Sequence, residues 1–278
     1  MRKFSKIYLE ISNICNLKCS FCPGTSRKPH IMTEAEFRTI LHKLKGWTNF
    51  LYFHIMGEPL CHPNLESFLQ IAKDNDFKVI LTTNGTLLSQ VGQTLLSSSA
   101  LHKINISLHA FEANNTKISF SDYLNGCLQF AKAVDERFIT VFRLWNQGGE
   151  DTKNQEILSY LKSYFPDPWE KERQGIRIAN RVYLEYGDKF DWPDLNAKDY
   201  GTNVFCHGLR DQIGILCDGT VVPCCLDHEG DIPLGNIFDI DLETIINSKR
   251  AKDIYQGFSN RNVPEELCRR CGYAQRFH

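Results

Sequence analysis

Between residues 6 and 186 the chain alternates between two periods. Short runs rich in β-branched and aromatic residues, Ile7–Ile11, Phe50–Ile55, Val79–Thr83, Ile104–Leu108, Ile139–Trp145 and the stretch Ile176–Tyr186, are separated by segments whose apolar residues recur at helical spacing. Strand runs alternating with helical patterns predict repeated βα units and a parallel sheet. Thr33 as N-cap, with Glu36 three residues on, forms a capping box, and Phe37, Ile40, Leu41 and Leu44 then share one helical face. Pro63 and Asn64 start the next helix, and Asn84-Gly85 turns the chain after the third strand. Later helices are expected over Leu87–Ser97, Asp122–Val134 and Thr152–Tyr164.

The alternation ends where Pro, Asp and Gly accumulate, in Phe165–Pro168 and Asp188–Gly201. A different module follows. Ile213–Leu216 and Val221–Val222 flank Asp218-Gly219, a hairpin signal, and Leu242–Asn247 reads as a short helix. We therefore expect an α/β fold, a partial (βα)6 TIM-like barrel over residues 1–187 with a small C-terminal domain over 188–278.

Composition narrows the function classes. The 278 residues, 42% hydrophobic, can bury a full core, and 32 basic residues balance 33 acidic ones without runs of like charge. Nothing here signals nucleic acid or a membrane surface, and no stretch approaches the ~20 apolar residues of a membrane span, so a cytoplasmic protein is expected. Eleven cysteines in such a protein point to metal rather than disulfides. Cys15, Cys19 and Cys22 crowd the front, and Cys206, Cys217, Cys224, Cys225, Cys268 and Cys271 the back; Cys61 and Cys127 stand alone as plain thiols.

Cys15-Asn-Leu-Lys-Cys19-Ser-Phe-Cys22 sets three thiolates in one loop after the first strand, suited to three corners of a [4Fe–4S] cube with one iron left open. Structural zinc is the rival and would need a fourth ligand, which His30 could supply. The segment resembles the radical S-adenosylmethionine (SAM) superfamily, whose hallmark is this spacing with an aromatic residue before the third cysteine, here Phe21. The resemblance implies that Cys15, Cys19 and Cys22 hold the cluster, that its open iron chelates SAM, and that reductive cleavage yields a 5′-deoxyadenosyl radical, with Phe21 near the adenine. It also implies that Gly57 and Glu58, in Met56-Gly57-Glu58-Pro59 after the second strand, hold the SAM amino group, and that Ser107 contacts the ribose. Asn84 and Arg143 are candidate partners of SAM or substrate, because ligands of parallel α/β folds gather at the carboxyl ends of strands. Each has a plainer role open to it: Ser107 a strand-end cap, Asn84 a turn former, Arg143 a surface cation. His54 and His109 read as core or rim histidines.

At the back, Cys206, Cys224, Cys268 and Cys271 suffice for a second [4Fe–4S] cluster, provided the Asp218-Gly219 hairpin brings them together; structural zinc is again the rival. This part resembles the auxiliary-cluster (twitch, truncated SPASM-like) domain of radical SAM dehydrogenases, carried by Cys217-Asp-Gly-Thr-Val-Val-Pro-Cys224-Cys225 and Leu234-Gly235-Asn236-Ile237. Cys217 and Cys225 are not expected to be ligands, although the sequence leaves open whether either replaces Cys224, which Cys225 adjoins. The resemblance implies hydrogen abstraction from a small molecule, with the second cluster taking an electron in a net oxidation such as alcohol to ketone. Asp227, Arg181 and Tyr183 are candidate bases because they adjoin the auxiliary cysteines or end a strand. Alternatives are a peptide maturase forming thioethers, crosslinks or epimers, and a plain iron–sulfur electron carrier. A reducing donor such as flavodoxin or ferredoxin is the expected partner.

Overall fold

The computed structural model describes residues 4–173 and 175–277; Met1–Lys3, Gln174 and His278 lie outside the description. Strands β1 (Lys6–Leu9), β2 (Phe50–Phe53), β3 (Lys78–Thr83), β4 (Leu101–Ser107) and β5 (Ile139–Gln147) alternate with helices α1 (Glu34–Leu44), α2 (Leu65–Asp74), α3 (Leu88–Ser97), α4 (Phe120–Ala133) and α5 (Asn154–Tyr164). Neighbouring strands pair in parallel, β1 to β2 through β4 to β5. This is the mixed α/β, partial-barrel architecture that the alternation predicts. The capping box forms: Glu36 N–H donates to Thr33 Oγ1, and Glu36 Oε2 accepts from Thr33 N–H at 2.7 Å. One face of α1 then packs on the sheet and on α2, where Phe37 stacks on Phe68 at 4.2 Å and meets Phe53 edge-on at 5.6 Å.

Two features differ from expectation. The sixth strand is not a single run over 176–186. β6 (Glu170–Glu172), β7 (Gly175–Ala179) and β8 (Val182–Asp188) form an antiparallel meander, and only β8 joins β5 in parallel. A tight turn with Arg181 at φ 56° reverses the chain inside the apolar run, so its first half faces away from the barrel order. The second difference lies beyond residue 188. β9 (Gln212–Ile215) and β10 (Thr220–Val222) make the expected hairpin and β11 (Gly235–Asn236) extends it, but β9 also pairs in parallel with β1. Among the described residues the eleven strands form one sheet, ordered β11-β10-β9-β1-β2-β3-β4-β5-β8-β7-β6. Helices α6 (Leu242–Ile246), α7 (Lys249–Ser259) and α8 (Glu266–Arg269) complete the C-terminal part. Among the described residues no helix is long and apolar enough to cross a membrane.

Candidate active site

The three front cysteines leave β1 in a loop whose start is held against the turn after β2. Gly57 has φ +76°, and a Cβ there would lie 2.3 Å from the Ser12 carbonyl oxygen, so only glycine lets the turns close. Glu58 N–H then donates to the Ile14 carbonyl at 2.9 Å. The carboxylate of Glu58, 2% exposed, accepts from Leu60 N–H (3.0 Å), Thr83 Oγ1 (2.7 Å) and Asn84 N–H (2.7 Å). Roughly one of its four acceptor directions stays free for an ammonium. Burial pushes its pKa up to about 7 against the pull of those donors.

Asn84 is engaged within the protein. Its Nδ2 donates to Asn16 Oδ1 (2.9 Å), while its Oδ1 accepts from Thr86 N–H and Oγ1. These bonds shape the turn after β3 and brace the cysteine loop. Ser107 caps nothing with its side chain, so its hydroxyl stays open at the end of β4. Arg143 is no surface cation: its Nε donates to Glu185 at 2.8 Å and its guanidinium lies 4.5 Å from the Trp145 ring. Phe21 packs on His109, with ring centroids 5.0 Å apart, and His109 Nδ1 lies 3.1 Å from the Arg143 carbonyl. His30 faces Glu36 at the start of α1.

Two groups at this end escaped the sequence reading. Asn114 Nδ2 donates to Cys19 Sγ at 3.0 Å, and its Oδ1 accepts from Lys18 N–H. Glu10, fully buried, pairs with Arg27 at 2.7 Å and accepts from Met56 N–H and Cys217 N–H. Arg27 Nε donates to the His228 carbonyl (2.8 Å), and Ser26 N–H and Oγ donate to Glu229. The tail of the cysteine loop is thus clasped to the C-terminal part. A carboxylate inside the apolar run Ile7–Ile11 was the available signal.

Cys206, Cys224, Cys268 and Cys271 line one cavity of about 40 Å³, with apolar walls from Phe258 and Leu267. Cys217 and Cys225 are not among its lining residues; Cys217 packs against Arg27, and Cys225 accepts from the Tyr8 hydroxyl. Burial raises all four thiols, Cys271 to about 12, and Cys19 at the front to about 11. Among the described residues no three His, Cys, Asp or Glu side chains converge on a single-ion position. Asp227 reaches the cavity wall, but its two oxygens accept from Asp231 and Ile232 N–H, so it closes its own loop. Arg181 is misplaced as a base: it sits in the turn that begins β8, where its carbonyl accepts from Thr140 N–H, at the opposite end from the cysteines. Tyr183 lies one step up β8, opposite Val141.

The pattern of the radical SAM superfamily matches residues 9–161, more than half of the chain. The chain belongs to that superfamily. A second match, to the SPASM iron–sulfur cluster-binding domain, covers residues 206–272 of this radical SAM enzyme. It is 31% identical over 268 residues to a probable GTP 3′,8-cyclase of Methanococcus maripaludis, covering 84% of this chain and 89% of the relative. It is 28% identical over 114 residues to the S-adenosyl-L-methionine-dependent 2-deoxy-scyllo-inosamine dehydrogenase of Niallia circulans, a match spanning 38% of this chain and 46% of that protein. The crystal structure of BtrN in complex with AdoMet and 2-DOIA superposes with a TM-score of 0.62 at 20% identity, over 98% of this chain and 94% of the other, a likeness of fold. The residues present fit the cofactors these domains imply. Leu17 N–H and Asn114 aim donors at the front sulfurs, as thiolates bearing iron require, and four further thiols surround a common space.

Proposed function

We propose that this radical SAM enzyme oxidises a small molecule by two electrons, for instance a secondary alcohol to a ketone. In this reading residues 1–187 form the radical-generating barrel and 188–278 the auxiliary-cluster domain. Cys15, Cys19 and Cys22 hold one [4Fe–4S] cluster, and Cys206, Cys224, Cys268 and Cys271 saturate another. When bound, SAM and the front cluster would supply a 5′-deoxyadenosyl radical that takes the hydrogen atom of the substrate, and the back cluster would take the second electron as the hydroxyl proton leaves to solvent. The chain's own part is positional. Gly57 seats the cysteine loop, Glu58 offers its free acceptor direction to the SAM ammonium, and Phe21, Ser107 and Arg143 line the way from SAM to the substrate.

The observation that carries the reading is the common cavity of the four back cysteines, because four thiols leave no iron open for a ligand and suit electron transfer. Tyr8 packs with Ile55, Leu216 and Val222, and Cys225, the chain neighbour of Cys224, packs on the same cluster. Cys268→Ala tests the assignment in anaerobically reconstituted protein. It should lose about four irons per chain and lose the product two mass units lighter than substrate, while 5′-deoxyadenosine still forms. Normal product from a folded variant without that iron would overturn the acceptor role. Turnover of a precursor peptide in place of small molecules would favour the maturase.

A further inference from the structure

The barrel interior holds more positive charge than it balances. Ile7 and Leu9 on β1, Ile104 and Ile106 on β4, and Phe142 and Leu144 on β5 belong to the core under the helices. By strand alternation Lys6 and Tyr8, Lys103 and Asn105, and Arg143 and Trp145 face the other way, into the lumen. Arg143 is paired with Glu185 at 2.8 Å, and Glu10 is neutralised by Arg27. Lys6 and Lys103 form no ion pair among the described residues; Lys6 rests over the rings of Tyr8 and Tyr52 at 5.6 and 5.7 Å. Three cations therefore face one carboxylate.

Lys103 decides the matter. Its backbone lies low on β4, opposite Ile139, whereas Arg143 lies opposite Ser107 at the upper end. Yet the Lys103 ammonium is held below its usual pKa by burial first and then by Arg143, with Lys6 adding and Glu185 opposing. Arg143 and Glu185 thus both act on its ammonium. Among the described residues Lys103 forms no ion pair of its own and shares the field of Glu185 with Arg143, so its half-buried charge is only partly compensated. On the same face of the sheet, by strand alternation, His54 Nδ1, Asn105 Oδ1 and Trp145 Nε1 are buried without hydrogen-bond partners among the described residues. Those orphans suit a polar ligand in contact with the lumen wall.

We propose that the lumen takes a substrate bearing an anionic group, a carboxylate or a phosphate, with Lys103 as its contact and the Arg143–Glu185 pair bounding it toward the SAM end. This rests on the lumen being the chamber of the oxidation proposed above. The test is calorimetric titration of the reconstituted, SAM-loaded protein at fixed ionic strength with inorganic phosphate and, separately, with succinate. Wild type should bind one of them with a Kd of about 1 mM or tighter, Lys103→Met should weaken it about tenfold or more, and Lys103→Arg should stay within about threefold. Preference for phosphate or for succinate names the group. Binding of neither below about 10 mM, or equal binding by Lys103→Met, overturns the inference. Oxidation of a neutral molecule by a protein that ignores both anions would sink this inference alone. Anion capture without any oxidised product would sink the oxidation alone.

Discussion

Asn114 donates to Cys19 Sγ from a loop more than ninety positions away, and such a bond favours the more negative, reduced state of a cluster on that sulfur. Asn114→Leu should therefore lower the front cluster's midpoint potential, by up to about 59 mV if the bond favours the reduced state by about 1.4 kcal/mol. Redox titration followed by electron paramagnetic resonance measures it; an unchanged or raised potential would contradict the assignment. Glu58 gives a second residue-level expectation. Its carboxyl titrates near 7 in the folded protein against 4.5 as the reference value, so the folded state holds the proton more tightly. Wild-type stability should fall relative to Glu58→Gln as pH rises from about 4.5 to about 7, and the difference should be flat above that. Thermal unfolding across that range, without SAM, reads the sign directly. Asn114 was not legible beforehand because Glu112-Ala-Asn-Asn-Thr reads locally as an ordinary polar loop. The cysteines and Gly57-Glu58 were legible because their chemistry depends on spacing along the chain.

Among the elements, β1 to β5 could be read from the sequence because each carries an apolar run bounded by turn residues, and α1 because its cap lies within three residues of its start. The pairing of β9 with β1 could not. Ile213–Leu216 satisfies its local signals as half of a hairpin, and nothing near it reports that its other edge meets Ile7 and Leu9. Helix α7 was missed for a related reason: its buried residues Ala251, Ile254, Gly257 and Phe258 make a thin stripe on a charged segment, with docking supplying the rest. The turn between β2 and the tight helical turn at Pro59–Cys61 makes a sharper demand. Gly57→Ala would force a left-handed backbone and a Cβ into the Ser12 carbonyl, so the cysteine loop must shift. The expected cost is about 1–3 kcal/mol in urea unfolding, with iron uptake at the front loop reduced more than at the back. Equal uptake at both would mean that the loop tolerates the displacement.

At the scale of the whole molecule, Glu10 and Arg27 tie together the first strand, the tail of the cysteine loop and the C-terminal part. Arg27→Met would leave the Glu10 carboxylate buried with amide donors alone, and breaking such a pair costs about 3–5 kcal/mol. The double variant Glu10→Gln with Arg27→Met should recover a large part of that in urea unfolding; full additivity of the two single losses would show that they do not act as a pair. The partnership of β1 with β9 has a consequence during synthesis. Once β2 has folded onto it, the other edge of β1 must wait for Gln212–Ile215 to leave the ribosome, roughly ten to thirty seconds later at 5–20 residues per second. Through that interval the nascent chain presents an unpaired strand flanked by Ile7 and Leu9, the kind of edge on which chains template one another. Shielding that edge until Gln212–Ile215 emerges is therefore a demand that the pairing of β1 with β9 places on the nascent chain.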